Sequence, residues 1–157
     1  MTKLRLYARL LSVAGLVIAI DQFTKSLALG RLADRPEHLI PGVLSLNLSF
    51  NSGGAFGLLQ GVPWLFLVAG IGIIALILVW AGRVDEEGYI VPLGLVLGGG
   101  TGNLIDRVAR DFNGQVVDFI DLHVWPVFNF ADMAIAIGVG LIILAGFRRR
   151  PEERDTE

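Results

Sequence analysis

Long apolar segments limit what this chain can fold into. Residues 62–81 and 89–105 contain no charged side chain, and residues 10–29 and 130–147 contain at most two each. A helix that crosses a bilayer needs about 20 mainly apolar residues. Hydrophobic residues make up 54% of the chain, whereas they form about 45–50% of an ordinary soluble domain. The sequence therefore predicts a mainly α-helical membrane protein with four transmembrane helices over these ranges, in a single domain of residues 1–157.

The third apolar segment contains a regular row of glycines. Gly94, Gly98 and Gly102 are four residues apart, which places them on one helix face where a neighbouring helix can approach closely. We therefore expect this helix to pack tightly against another helix along its glycine face.

The N-terminal segment has two interpretations. The basic residues before Leu10 and the apolar run after it match a cleavable secretory signal peptide. The same segment is also long enough for an uncleaved first helix over residues 10–29. In that helix Asp21 and Lys25 are four residues apart and can pair on one face, which lowers the cost of placing either in a membrane.

Residues 30–61 differ from the apolar segments, because their prolines and glycines exclude a long helix. Between residues 44 and 50, leucine and phenylalanine alternate with serine and asparagine, which is the pattern of a half-buried strand. The glycine-rich sequence NSGGAFG at 51–57 predicts a turn in which the backbone approaches another group closely. We expect residues 35–60 to form a small β-sheet cradle outside the membrane, on its outer face.

Four spans would place both termini on the same side of the membrane. Basic residues are concentrated before residue 10 and at residues 148–150, which predicts a cytoplasmic location for the termini, with residues 149–157 as a flexible tail. The segments 30–61 and 106–128 would then lie together on the outer face.

Five aspartates lie between residues 98 and 134, where the chain leaves one apolar segment and enters the next. Asp118 and Asp132, which are 14 residues apart, form the pair that we expect to be catalytic. Two carboxyl groups about 3 Å apart cannot both ionise and share one proton. One can then take a proton from water while the other polarises a peptide carbonyl. The spacing equally allows Asp132 only to stabilise a helix N-terminus, by about 0.3–1 kcal/mol.

Polar residues near this pair also have two interpretations. Asn103 and Arg107 are four residues apart and can bind a peptide carbonyl, or Arg107 can simply pair with Asp106 at a helix end. Asn129 is either a substrate ligand or the N-cap of the fourth helix. Asn51 is either a ligand or a turn residue.

Composition excludes several classes of function. The chain has no cysteine, which removes thiol catalysis and disulfides. His38 and His123 fit no metal-binding motif, so no metal or other cofactor is expected. Asp121 and His123 resemble a general base with its orienting partner, but no nearby serine completes a triad, and we interpret both as surface residues. A net charge of −2 argues against binding to nucleic acid.

Taken in order, the motifs of this chain resemble those of the lipoprotein signal peptidase (signal peptidase II) family of bacterial membrane aspartyl proteases. The resemblance covers about residues 10–147 and rests on DQFTK at 21–25, NSGGAFG at 51–57, GGGTGNLIDR at 98–107, VVDF at 116–119 and FNFAD at 128–132. It implies removal of the signal peptide from diacylglyceryl-modified prolipoproteins, before the lipidated cysteine. One departure is Gly54, where the family commonly has alanine.

The resemblance also implies roles for individual residues. The catalytic dyad falls on Asp118 and Asp132. The substrate groove would be lined by Asn51, Gly99, Asn103, Arg107 and Asn129, and the site would be supported by Asp21, Lys25, Gly53, Gly54 and Asp106. An uncleaved first helix, a monomer in the bacterial cytoplasmic membrane, and prolipoprotein signal peptides and membrane lipids as partners are further implications.

Two hypotheses from other functional classes stay open at this point. A small proton- or ion-coupled transporter would use intramembrane carboxylates as a relay, although most carboxylates here cluster on one side. A non-enzymatic assembly subunit would use only the glycine faces, and substitutions of both aspartates would then be silent.

Overall fold

The computed structural model describes residues 2–53, 63–81, 87–110 and 112–148. The predicted role of Gly54 in the turn and the predicted tail at 149–157 lie outside these residues. The described chain forms helices α1 (Lys3–Arg31), α2 (Pro63–Ala81), α3 (Ile90–Ala109) and α4 (Phe130–Arg148), and strands β1 (Glu37–Ile40), β2 (Leu44–Asn51) and β3 (Val116–Asp121). A short 3₁₀ turn, Glu87–Tyr89, precedes α3.

The four helices coincide with the predicted apolar segments, but two of them are longer. α1 has 29 residues, because it begins within the basic N-terminal residues rather than at residue 10. α3 continues past residue 105 to Ala109. Asp106 and Arg107 therefore lie in the last turns of α3, at the helix end that their spacing indicates.

Among the described residues, two helices are long and apolar enough to cross a membrane by length and composition: Trp64–Ala81 and Phe130–Phe147. Only 11% and 17% of these two segments are buried inside the protein. Their outward-facing residues, such as Leu76 and Leu144, form apolar surface far larger than water-soluble proteins usually expose. This distribution is the one expected of helices whose outer faces contact lipid.

α3 packs against α1, α2 and α4. Its glycine face contacts α1: a Cβ atom at Gly98 would lie 2.7 Å from the backbone oxygen of Ala14, and one at Gly102 would lie 2.5 Å from Oδ2 of Asp21. Gly94 approaches α1 in the same way. The predicted close contact is confirmed, and it places Asp21 of α1 directly beside α3.

The strands form one antiparallel sheet in the order β1-β2-β3. β2 is the strand that the alternating pattern predicts. The sequence does not predict β3, since VVDFID reads as part of a connection and becomes a strand only by pairing with β2. Asn51 lies opposite Val116, and Ser49 lies opposite Asp118. This register brings the end of β2 next to the start of β3.

A small apolar cluster joins the sheet to the C-terminal end of α1. Ala28 and Leu32 of α1 pack with Phe119 of β3, and Leu46 of β2 covers them. Side chains of neighbouring residues in a strand point to opposite faces. Phe119 therefore anchors the sheet to α1, while Asp118 faces away from this cluster.

Candidate active site

Asp118 and Asp132 converge where the sheet meets the helices. Asp118 is the third residue of β3 and is 1% exposed, and Asp132 lies in the first turn of α4. Asn129 is fully buried between them. Its Nδ2 donates to Oδ1 of Asp118 at 2.6 Å, and its backbone N–H donates to Oδ2 of Asp132 at 3.2 Å. One asparagine therefore joins the two carboxylates.

Asn129 is at the same time the N-cap of α4. Its Oδ1 accepts the backbone N–H of Asp132 at 3.0 Å, while Oδ2 of Asp132 accepts the backbone N–H of Asn129. This reciprocal pattern is that of a capping box. The alternatives that the spacing leaves open are therefore compatible, because the cap fixes Asp132 while the same asparagine binds Asp118.

Two further asparagines bind the remaining carboxylate oxygens. Nδ2 of Asn103 donates to Oδ1 of Asp132 at 2.8 Å, and Nδ2 of Asn51 donates to Oδ2 of Asp118 at 3.0 Å. Every oxygen of the two carboxylates thus accepts a hydrogen bond from an asparagine. Neutral donors of this kind orient a carboxylate without supplying a counter-charge.

Asp118 lies in the sheet, outside the helices, and its ionisation is strongly perturbed. Burial, followed by the negative charge of Asp132, raises the pKa of Asp118 from 3.8 to about 7, against the opposing hydrogen bonds from Asn51 and Asn129. At neutral pH this carboxyl group is therefore partly protonated. A carboxyl group that holds a proton at this pH can act as a general acid.

A buried charge cluster, formed by Asp21, Lys25 and Asp106, lies behind the pair. Nζ of Lys25 is 2.9 Å from Oδ2 of Asp21 and 2.8 Å from Oδ2 of Asp106, and all three side chains are 0% exposed. The predicted pairing of Asp21 with Lys25 is confirmed, and Asp106 of α3 joins it. Lys25 also donates to Oδ1 of Asn103 at 2.9 Å, which links the cluster to the amide that binds Asp132.

Each carboxylate of the buried charge cluster holds the backbone beside one member of the candidate pair. Oδ1 of Asp21 accepts the N–H of Ala131 at 3.0 Å, and Oδ2 of Asp106 accepts the N–H of Val117 at 3.1 Å. Ala131 and Val117 directly precede the two candidate catalytic aspartates. The cluster therefore fixes both members of the pair relative to α1 and α3.

Arg107 lies beside the pair, within electrostatic range of both aspartates. Its Cζ atom is 5.7 Å from the ring centroid of Phe66 in α2, and Nη1 donates to the backbone oxygen of Asn103 at 3.3 Å. Nε is buried and has no hydrogen-bond partner within the described part of the chain. Because an unpaired buried donor is costly, this N–H is suited to a bound molecule.

A cavity of about 210 Å³ lies between α2, α3 and α4. Asn103 and Arg107 contribute to its lining, and the other walls include Phe66, Ile73 and Ile135. A mainly apolar cavity with a few polar groups is the usual form of a ligand site. Asn103, which binds Asp132, and Arg107 therefore lie between the aspartate pair and this cavity.

Two of the predicted glycines have identifiable structural roles. Gly99 lies in the contact between α3 and α4, where a Cβ atom would be 2.5 Å from the backbone oxygen of Ala131. Gly53 has a φ of +117°, and its N–H donates to Oδ1 of Asn51 at 2.9 Å. Phe66 occupies the space that a side chain at Gly53 would need. Gly53 thereby orients Asn51 toward Asp118.

Asp121 and His123 lie near the C-terminal end of β3, next to a serine that the sequence does not place there. Oγ of Ser45 is 3.0 Å from Nε2 of His123 and 2.8 Å from Nδ1 of His38, and Nδ1 of His123 is 3.5 Å from Oδ1 of Asp121. The pairing of β2 with β3 brings these residues together across 78 positions of sequence. Ser45 is only 1% exposed, so its hydroxyl is closed to a substrate.

Sequence reasoning misses two polar residues at the buried charge cluster. Nε2 of Gln22 donates to Oδ1 of Asp106 at 3.0 Å, and Nε of Arg110 lies 3.0 Å from the same oxygen. Arg110 comes four residues after Asp106, just past the last residue of α3, and this spacing is a signal that predicts their pairing. Gln22 has no comparable signal, because its partners include residues on another helix.

Two solved structures are similar to this fold. A bacterial membrane enzyme determined by the in meso method at 2.3 Å resolution has a TM-score of 0.81 and 30% sequence identity, covering 94% of this chain and 93% of that chain. A second bacterial membrane enzyme, at 1.9 Å, has a TM-score of 0.76 and 31% identity, covering 89% and 93%. The fold is that of a bacterial membrane enzyme.

Sequence comparison identifies the family. Residues 13–148 match the family model of Signal peptidase (SPase) II. The chain is 40% identical to a lipoprotein signal peptidase of Desulfitobacterium hafniense, over 91% of this chain and 95% of that protein. It is 39% identical to one of Xylella fastidiosa, over 91% of both. The chain belongs to the signal peptidase II family of peptidases.

Proposed function

We propose that this protein is an aspartic endopeptidase that removes the signal peptide from diacylglyceryl-modified prolipoproteins, with Asp118 and Asp132 as its catalytic dyad. The observation that carries the proposal is the pair of carboxylates, Asp118 and Asp132, that Asn129 joins beside an apolar cavity. Family membership supports the substrate, because the relatives are named lipoprotein signal peptidases.

The two aspartates divide the work of hydrolysis. Asp118, whose pKa of about 7 leaves it partly protonated at neutral pH, is the acid, and Asp132 is the base. Asp132 takes a proton from water, whose oxygen attacks the carbonyl carbon of the scissile peptide bond. At the same time Asp118 transfers its proton to the carbonyl oxygen, which gives a neutral gem-diol.

Collapse of the gem-diol completes the reaction. Asp132 gives the proton that it took from water to the leaving nitrogen, and the carbon–nitrogen bond breaks. One hydroxyl of the gem-diol returns its proton to Asp118 and becomes the new carbonyl. One water molecule is consumed, a carboxylic acid and an amine are released, and both aspartates regain their starting states.

Asn51, Asn103, Arg107 and Asn129 form the polar border of the substrate groove. In this proposal the apolar cavity between α2, α3 and α4 receives hydrophobic parts of the lipidated substrate. The unpartnered Nε–H of Arg107 donates to a backbone carbonyl of the signal peptide and holds the chain across the dyad. Gly99 allows α4 to approach α3 closely, so that Asp132 reaches the groove.

We further propose a four-span topology with both termini in the cytoplasm, an uncleaved first helix and the sheet on the outer face. α2 and α4 have the required length and composition, and 29-residue α1 is about 44 Å long at 1.5 Å per residue. The charges of Asp21 and Lys25 are paired inside the protein, which makes them compatible with a membrane helix. A monomer contains every residue of the proposed site.

The test is cleavage of a lipidated prolipoprotein by purified enzyme in detergent or in proteoliposomes. Asp118→Asn and Asp132→Asn are each expected to lower kcat by about 10³-fold or more, because each removes one of two proton-transfer groups. The matched control is Asp34→Asn, at an exposed aspartate, which should cleave like the wild type. Thermal unfolding of all variants shows whether they fold.

Efficient cleavage by either dyad variant would contradict the assignment of the dyad. Absence of cleavage by the folded wild type on several lipidated prolipoproteins would contradict the proposed activity itself. Uptake of an ion or proton by wild-type proteoliposomes without proteolysis would instead favour a transporter.

A further inference from the structure

Arg110 follows the last residue of α3 and turns its side chain back onto the buried charge cluster. Its Nε lies 3.0 Å from Oδ1 of Asp106, and the Arg110 side chain is 19% exposed whereas that of Asp106 is 0% exposed. Nη2 donates to Oε1 of Gln22 at 3.1 Å and to Oγ of Ser26 at 3.3 Å. Contacts with three side chains thus hold this guanidinium against α1 and α3.

The charges show why this guanidinium matters. Lys25 forms ion pairs with the Oδ2 atoms of Asp21 and Asp106, so one ammonium faces two buried carboxylates. Arg110 supplies the second positive charge, on the other oxygen of Asp106. An exposed ion pair contributes only about 0–1 kcal/mol, but a buried carboxylate without a counter-charge is far more costly. Because Asp106 is fully buried, loss of the positive charge of Arg110 should cost more than loss of an exposed ion pair.

The side-chain amide of Gln22 forms hydrogen bonds with the charged groups on both sides of it. Its Nε2 donates to Oδ2 of Asp21 at 3.1 Å, to Oδ1 of Asp106 at 3.0 Å and to the backbone oxygen of Gly102 at 3.1 Å. Its Oε1 accepts from Arg110. The amide therefore contacts both carboxylates and fixes the guanidinium, which leaves Asp106 with one defined orientation.

The orientation of Asp106 affects the candidate dyad through one hydrogen bond. Oδ2 of Asp106 accepts the backbone N–H of Val117 at 3.1 Å, and Val117 precedes Asp118 in β3. The geometry points to Arg110 as a positioning residue for the proposed peptidase reaction: it balances the charge of Asp106 and thereby holds the strand that presents Asp118. This inference rests on the proposed function, since its effect is read as cleavage.

The first experiment measures kcat and KM on a lipidated prolipoprotein for Arg110→Met, Arg110→Lys and Arg35→Met. Arg110→Met keeps an apolar stem but removes the charge, and kcat should fall at least about tenfold with KM within about twofold. Arg110→Lys restores the charge and should recover most of kcat. Arg35 is exposed and outside the cluster, so Arg35→Met should behave as the wild type.

A second experiment separates charge balance from packing. In an Asp106→Asn background, Asp21 and Lys25 already balance, so adding Arg110→Met should cause no further loss of kcat. A role in packing alone would give losses that multiply in the double variant. Should Arg110→Met alone fail to fold, the comparison of Asp106→Asn with the double variant decides the question.

Wild-type rates for Arg110→Met, multiplying losses in the double variant, or no recovery with lysine would each overturn the inference. These outcomes are distinct from failure of the proposed function, in which the wild type and Arg35→Met would not cleave the substrate at all.

Discussion

Two pairs of aspartates in this protein have neighbours that differ in charge. Asp21 and Asp106 share the ammonium of Lys25 at 2.9 and 2.8 Å, whereas Asp118 and Asp132 accept hydrogen bonds from asparagines. A nearby cation favours the ionised carboxylate, while burial beside another carboxylate favours a bound proton. The role of a buried aspartate in this fold therefore depends on whether its partners are charged or neutral.

The two pairs also depend on each other. The ion-paired aspartates accept the backbone N–H groups of Val117 and Ala131, and so hold the backbone immediately before the amide-bound pair. A charged pair suits this task because its strong bonds lock the geometry. The amide-bound pair can still exchange a proton, while the ion-paired aspartates hold its backbone in position.

The largest effect should come from removal of the ammonium group that Asp21 and Asp106 share, which tests whether this pair is held by charge. Lys25→Met leaves Asp21 and Asp106 buried without their common cation, and breaking a buried pair costs about 3–5 kcal/mol. We expect a large loss of thermal stability in detergent, with cleavage lost as a consequence. The control is Lys3→Met, since Lys3 is exposed and its removal should change stability little.

A Lys25→Met variant that melts like the wild type would show that the cluster is not held by its charges. The distinction between ion-paired and amide-bound aspartates would then have no basis in stability.

The pH dependence of cleavage should show that the amide-bound pair, unlike the ion-paired one, holds a proton. Asp118 must hold its proton to act as the acid, and its pKa is raised to about 7 by burial and by Asp132. We expect kcat to fall above pH 7, by up to about tenfold per pH unit. A kcat that keeps rising to pH 9 would place the required proton elsewhere.

Stability should follow the same ionisation with a smaller effect. The pKa of Asp118 is raised in the folded state relative to its usual value of 3.8, so the folded protein binds the extra proton. The contribution of Asp118 to the free energy of unfolding should therefore be fully present below about pH 4, fall as the pH rises to about 7, and be lost above it. The slope is at most about 1.4 kcal/mol per pH unit.

Thermal unfolding between pH 4 and pH 8 measures this slope, and Asp118→Asn should flatten it. If the variant and the wild type show the same slope, another group is responsible for the pH dependence.

Part of this arrangement can be predicted from sequence. The apolar segments predict the four helices, alternation predicts β2, and the four-residue spacing of Asp21 and Lys25 predicts their pair. These features depend on residues that are close in sequence. Local patterns therefore suffice to locate the helices that hold the buried charges.

The remaining features arise from long-range pairing. β3 has no clear pattern of its own and forms against β2, with Val116 opposite Asn51. The same pairing brings Asn51 to Asp118 across 67 residues. Asp106 reaches the N–H of Val117 only because the chain reverses after α3. No periodicity within one element specifies such contacts.

The smallest predicted effect concerns the one serine–histidine–aspartate arrangement among the described residues. Ser45 contacts His123 and His38 but is 1% exposed, and it lies at the opposite end of β2 from Asn51. Ser45→Ala should lower stability by about 1 kcal/mol, the usual loss for one hydrogen-bonding group, and leave kcat within about twofold. A serine-directed phosphonate should leave the wild type active and unmodified at Ser45. Labelling of Ser45 together with a loss of cleavage in Ser45→Ala would shift the chemistry from the aspartate pair to the sheet.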